Sequence, residues 1–266
     1  MRFDGKVAVI TGAARGMGFS HCLSFAKEGA DIAAVDICDN IEGIYELSSD
    51  LNNVVNEIKK LGRKAIGIKC DVRKADEVQN MVNEVVKEFG SIDILVNNAG
   101  IEAFNYTWDI PIEEWDKVLD VDLKGVFLCC KYVAPIMIEK KSGKIVNISS
   151  IYGSQAAPMV SHYCAAKFGV VGFTQSLSQE LAAYNINVNA VGPGFVNTSM
   201  ADAEAPVFAP LMGLSPESYY EEAVKQVSLF AREITPQDIS NAVVWLSSEE
   251  SRNVTGQFIL VDGGHV

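Results

Sequence analysis

Tyr163 and Lys167 stand four residues apart, a spacing that places both side chains on one face of a helix. A free phenol, with a pKa of roughly 10, is a poor base at neutral pH, but a neighbouring ammonium favours its phenolate, so the pair can serve as a general acid/base. Tyr-x-x-x-Lys alone is also an ordinary surface pattern. Ser150, at the end of the apolar run Lys144–Ile148, adds a hydroxyl able to donate to a substrate oxygen as charge develops there. The three together suit proton exchange with an alcohol or carbonyl oxygen.

A second constellation lies near the N-terminus. Thr11-Gly12-Ala13-Ala14-Arg15-Gly16-Met17-Gly18 follows an apolar run and precedes a helical pattern. The glycines Gly12, Gly16 and Gly18 allow a tight turn and close backbone approach, which places a pyrophosphate on the helix N-terminus; a plain tight turn is the other reading. Asp36 ends the next apolar run, where a carboxylate accepts hydrogen bonds from adenosine ribose hydroxyls and repels a 2′-phosphate. Arg15 argues the other way, since a guanidinium there could pair with that phosphate. Asp36 at the 2′ position favours NAD over NADP. Asp71-Val72 and Asn97-Asn98-Ala99-Gly100 end two further strands: Asp71 suits an adenine amino group, and Ala99 and Gly100 let the backbone approach a ribose. Asn98 fits a cofactor contact or a strand-end amide satisfying backbone groups. With both constellations in place, the expected reaction is hydride transfer between a carbinol carbon and a nicotinamide, coupled to proton transfer at Tyr163.

The elements that must position these residues follow from hydrophobic periodicity. Strands are expected at Lys6–Thr11, Asp31–Asp36, Ala65–Cys70, Ile92–Val96, Lys144–Ile148, Asn187–Val191 and Phe258–Val261. Helices are expected at Gly18–Glu28, Ala75–Phe89, Ile112–Ile138, Val160–Tyr184 and Pro236–Leu246. Nearly all-apolar strands alternating with helices indicate a single α/β, doubly wound Rossmann-type domain, a parallel sheet with helices on both faces, over residues 1–266. Two stretches read as irregular: Ile37 to about Leu51, and Val196 to about Ser218, the latter a candidate substrate lid at about 196–218.

Bulk properties narrow the partners. A net charge of −12 and a pI near 4.7 leave no basic face for nucleic acid or anionic membrane. The six cysteines form no C-x-x-C pair, so buried thiols in a reducing cytoplasm are expected, with no metal site. No signal-peptide core and no membrane-length apolar run is evident.

Taken in order and spacing, Thr11-Gly12-x-x-x-Gly16-x-Gly18, Asn97-Asn98-Ala99-Gly100, Ser150, Tyr163-x-x-x-Lys167 and Pro193-Gly194 resemble the short-chain dehydrogenase/reductase family, essentially end to end through Val261-Asp262-Gly263-Gly264. That resemblance implies Ser150, Tyr163 and Lys167 as the catalytic set, with Tyr163 and Lys167 also touching the cofactor. It implies nicotinamide contacts from Pro193, Val196 and Thr198, a small-molecule substrate, a cytosolic location and a homotetramer. One position departs from the family pattern: Val121-Asp122-Leu123-Lys124-Gly125 carries Asp122 where an Asn is usual, held to bind a water behind the lysine. A carboxylate near Lys167 is expected to push the Tyr163 pKa upward.

The glycine loop and the segment starting Val35-Asp36-Ile37-Cys38 look similar to carveol-type dehydrogenases and some bacterial hydroxysteroid dehydrogenases. The branch implies a bulky apolar cyclic secondary alcohol, a hydroxysteroid or bile-acid-like steroid ahead of a terpene alcohol. Met200, Val207, Phe208, Leu211, Met212 and Leu214 could line an apolar pocket, or pack the lid down. A 3-oxoacyl thioester reductase, a sugar or polyol dehydrogenase and a non-catalytic dinucleotide sensor are the competing readings.

Overall fold

The computed structural model describes residues 1–38 and 50–264. The apolar runs pair as parallel strands β1 (Val7–Thr11), β2 (Asp31–Asp36), β3 (Ala65–Lys69), β4 (Ile94–Asn97), β5 (Gly143–Ile148), β6 (Ile186–Pro193) and β7 (Phe258–Val261). They lie in the order β3-β2-β1-β4-β5-β6-β7. Alternation assigns successive side chains to opposite faces. In β1, Val7 and Val9 join the cluster containing Val35, Leu95 and Ile145, while Ala8 and Ile10 join the one containing Ile32, Val96 and Val191.

Helices cover both clusters. α1 (Gly16–Lys27), α2 (Leu51–Lys60) and α9 (Pro236–Leu246) lie over one face. α3 (Ala75–Phe89), α4 (Ile112–Leu119), α5 (Gly125–Lys140) and α6 (Ser161–Leu181) serve the other. The strand order reverses between β1 and β4, so their carboxyl ends splay into the crevice where such sheets bind ligands.

Two departures from the sequence reading matter for the site. The helix expected over Ile112–Ile138 is interrupted at Asp120–Lys124 by a π turn, in which the Gly125 N–H bonds to the Asp120 carbonyl five residues back. Such single wide turns re-aim side chains inside a helix. Here Asp122 is carried into the interior, fully buried.

The stretch from Val196 to Ser218 is largely helical: α7 (Ser199–Leu211) and α8 (Pro216–Val227) pack on each other. Pro206 and Pro210 argued for irregular chain, yet both lie inside α7. Ala205, Ala209, Tyr219 and Ala223 form a buried seam backed by Phe195, Phe208 and Leu214, and this packing overrides the proline signal. Pro216 is instead well placed in the first turn of α8, behind Ser215, whose hydroxyl caps the Ser218 N–H. The first irregular stretch lies mostly in residues 39–49, outside the described residues; Asp50 caps α2 through the Asn52 N–H.

Candidate active site

A cleft opens over the carboxyl ends of β1, β2 and β4, lined by Gly12, Arg15, Gly16, Met17, Asp36, Asp71, Val72, Asn98, Ala99, Gly100 and Thr198. The loop between β1 and α1 owes its shape to its glycines. Gly12 has φ +64 and Gly16 φ +53, both left-handed. A Cβ on Gly12 would stand 2.9 Å from the Ala99 Cα, and one on Gly18 would run into the Gly12 carbonyl. Gly18 therefore does not line the cleft; it lets α1 seat beneath the turn. The N-cap residue of α1, Arg15, makes no side-chain cap, which leaves the first N–H groups of the helix for the cleft that Arg15, Gly16 and Met17 line.

Asp36, almost fully buried, accepts from the Ala14 N–H at 3.0 Å and the Cys38 N–H at 3.1 Å. A carboxylate offers about four lone-pair sites, so it fastens the loop and keeps acceptors for ribose hydroxyls. Asn98 answers the question left open by its sequence. Its amide donates to the Thr11 and Gly12 carbonyls at 3.0 and 3.1 Å, so it ties β4 to the glycine loop. Asp71 lies at the expected edge of the cleft, but its carboxylate is gripped by Arg73, with Nε at 2.9 Å and Nη2 at 2.7 Å. Burial alone would raise the Asp71 carboxyl; the Arg73 contacts hold it below the usual range.

Next to this cleft, and sharing Met17, Thr198 and Met200 with it, is a second cavity. It is lined by Ser150, Tyr163, Pro193 and Val196, among others, so the expected catalytic and nicotinamide residues meet where the two spaces join. Ser150 Oγ accepts from the Tyr152 N–H at 3.2 Å, which leaves its hydroxyl hydrogen to donate into the cavity.

Lys167 lies one helical turn below Tyr163, its Nζ 5.2 Å from the Tyr163 ring centroid. Nζ reaches the Ile148 carbonyl at 3.3 Å and Asp122 Oδ2 at 2.9 Å. Asp122 Oδ1 accepts from the Ile101 N–H at 2.9 Å, so one carboxylate serves two donors. Burial pushes the Asp122 carboxyl up, against the pull of Lys167 and the Ile101 N–H.

The sequence reading missed the polar part of this cavity. Glu102, Tyr152, Glu204 and Tyr219 also line it. Of the apolar lid residues expected there, Met200 does line it, whereas Leu211 and Met212 are exposed and Leu214 packs into the α7–α8 seam. Phe208 sits edge-on to Phe104 at 5.2 Å between ring centroids. The available signal for Glu102 was a lone charge directly after the apolar β4 end, within Gly100-Ile101-Glu102-Ala103-Phe104.

The sheet order, the glycine turn and the Ser–Tyr–Lys arrangement define a nucleotide-binding oxidoreductase architecture. The sequence profile of the short chain dehydrogenases matches residues 6–206, and the chain belongs to that family. It is 42% identical over 259 residues to a 3-oxoacyl-acyl-carrier-protein reductase of Staphylococcus aureus, with 97% of each chain covered. It is also similar to the structure of a carveol dehydrogenase from Mycobacterium avium in complex with NAD: TM-score 0.94, 38% identity, 99% of this chain and 98% of the other. The structure of a levodione reductase matches with TM-score 0.89 and 32% identity, covering 99% and 98%.

Proposed function

We propose that this short-chain oxidoreductase is an NAD-dependent dehydrogenase of a cyclic secondary alcohol, or the reductase of its ketone, in the terpene-to-steroid size range. The observation that carries this is the junction of the two cavities, where Ser150 and Tyr163 open onto a space beside the Asp36-closed dinucleotide cleft. The glycine turn, the uncapped α1 N-terminus and Asp36 fit an NAD molecule; NAD supplies the acceptor for the hydride that leaves the carbinol carbon. Ser150 donates to the substrate oxygen and holds it against Tyr163, which takes the hydroxyl proton in oxidation and returns it in reduction. Lys167 favours the Tyr163 phenolate and, by family resemblance, holds the nicotinamide ribose. Asp122 fixes the Lys167 ammonium beneath the tyrosine. The whole of residues 1–266 acts as one catalytic unit, with 196–218 as the substrate lid. By the same resemblance it assembles as a cytoplasmic homotetramer; Phe127 on α5 and Phe168 on α6 are exposed apolar side chains available to such contacts. Among the described residues, no helix is long and apolar enough to cross a membrane.

The identity to 3-oxoacyl-acyl-carrier-protein reductases favours a thioester ketone as the second reading. Against it stand the two acidic side chains in the substrate cavity and the −12 net charge, which disfavour an anionic carrier. Initial rates with NAD and NADP on cyclic alcohols and on a 3-oxoacyl thioester, read by cofactor absorbance, separate the two. NAD-linked oxidation of the alcohols supports the proposal, and NADPH-linked thioester reduction alone would replace it. In Asp36→Ala the NAD preference should fall by about tenfold, equivalent to about 1.4 kcal/mol; unchanged selectivity removes Asp36 from the cofactor assignment.

A further inference from the structure

Glu102 is only 5% exposed, and no donor among the described residues reaches its carboxylate. It lines the same cavity as Ser150 and Tyr163, and so does Glu204 on α7. Among the described residues, Glu204 has one hydrogen-bond partner, the Tyr219 hydroxyl at 3.3 Å. The two carboxyls feel each other across the cavity, and both act on Tyr152, whose ring stands 6.3 Å from and edge-on to that of Tyr163. Among the described residues, no Lys, Arg or His lines this space. Lys167, whose charge acts on Glu102, is already paired with Asp122 at 2.9 Å. A buried acid without a partner carries a desolvation cost that a ligand with the matching charge relieves. No group of three or more metal-ligating side chains occurs among the described residues, so a metal ion is poorly served here.

We propose that Glu102 and Glu204 form a subsite for a protonated amine, and that the substrate is a cyclic amino alcohol or its amino ketone, with the ammonium held between the carboxyls while the carbinol faces Tyr163. This rests on the cavity being the substrate pocket of the dehydrogenase described above. The cavity then offers an apolar wall from Met200, Val196 and Ile151 for the ring and an acidic wall for the ammonium. An alkyl substituent would leave both acids unpaired, and a carboxylate substituent would be repelled.

Ionisation gives the subsite a signature. Burial raises the Glu204 carboxyl to about 8, and burial together with Glu204 and Asp122 raises Glu102, opposed by Lys167. The titratable groups facing the pair include Asp122, Lys167, Tyr152, Cys164 and Tyr219, with Tyr163 on the same cavity wall. An ammonium requires the ionised acids, so its KM should fall as pH rises toward 8, while the KM of a neutral analogue should not follow that trend.

The test uses full-length protein with NAD and four cyclohexanols substituted at the 4-position with amino, hydroxy, methyl or carboxyl groups. The amino compound should exceed the methyl compound in kcat/KM by about tenfold or more, as expected of a desolvated charge pair. Glu102→Gln and Glu204→Gln should each shrink that ratio toward one, with NADH binding checking that the variants are folded. A methyl compound as good as the amine, or a ratio unmoved in both variants, overturns the subsite and leaves the dehydrogenase assignment standing. Failure to oxidise the amino compound overturns the subsite, and failure on the larger cyclic alcohols as well overturns both.

Discussion

The dinucleotide half and the substrate half of this molecule are built in opposite ways. Around the glycine turn, polar side chains clamp the backbone: Thr11 Oγ1 accepts from the Asn98 and Ala99 N–H groups, the Asn98 amide donates back to two carbonyls, and Asp36 accepts from two more N–H groups. Around α7 and α8, small residues and aromatics hold a short seam, Leu211 and Leu229 are exposed, and Glu102 is buried without a hydrogen-bond partner among the described residues. A clamped backbone suits a cofactor that never changes. Side chains on a lightly packed pair of helices suit a substrate, because each can be altered without disturbing the sheet.

Four variants probe this contrast and the proton path between the halves. The largest loss is expected from Lys167→Met, which removes the ammonium beneath Tyr163 and leaves Asp122 buried without its counter-charge. A fall in kcat of about 10²–10⁴-fold is expected, with a stability loss of about 3–5 kcal/mol where Asp122 stays ionised. Steady-state kinetics and thermal melting check both parts. Gly18→Ala comes next: the added methyl meets the Gly12 carbonyl, so α1 must shift. A destabilisation of about 1–3 kcal/mol is expected together with weaker NADH binding, and retention of both would show that the turn is less constrained than its contacts indicate.

Asp122→Asn acts more subtly. An amide has one acceptor oxygen for the two donors, Ile101 N–H and Lys167, that the carboxylate now serves. Stability should fall by about 1–3 kcal/mol if a donor is left unpaired. Removing the negative charge lets Lys167 act more fully on Tyr163, lowering the phenol pKa. Alcohol oxidation needs the phenolate, so the rising limb of its pH–rate profile should move to lower pH; superimposable profiles would dismiss the effect. The smallest change is expected from Phe208→Ala, which removes the edge-on contact between α7 and Phe104. Its loss should cost about 0.5–1.5 kcal/mol beyond the area exposed and alter KM for cyclic alcohols several-fold with little change in NADH binding. An equal loss of cofactor affinity would mean that the halves are coupled.

The same contrast decides what the sequence discloses. β1, β2, α3 and β7 fall within a residue or two of expectation, or on it, because apolar strands and a 3.6-residue helical period leave little choice. That Gly12, Gly16 and Asp36 line one cleft was legible for a related reason: turn geometry demands the glycines, and a strand end places the charge. The α7–α8 pair was not, since Pro206 and Pro210 weigh against helix locally while the Ala205–Tyr219 seam that favours it is tertiary. The π turn was equally hidden, because Asp120–Lys124 continues the helical pattern and only the inward course of Asp122 distinguishes it. Glu204 lies in the stretch read as irregular, and only the folding of α7 brings it to the cavity.

The most direct measurement is Tyr163→Phe, studied in parallel by NADH fluorescence titration and by initial rates of NAD-linked oxidation of a cyclic secondary alcohol. The expected result is NADH affinity within a few-fold of the wild type and a loss of turnover of about 10²-fold or more. Turnover close to the wild type, with the cofactor bound, would contradict the assignment of Tyr163 as the proton-transferring residue.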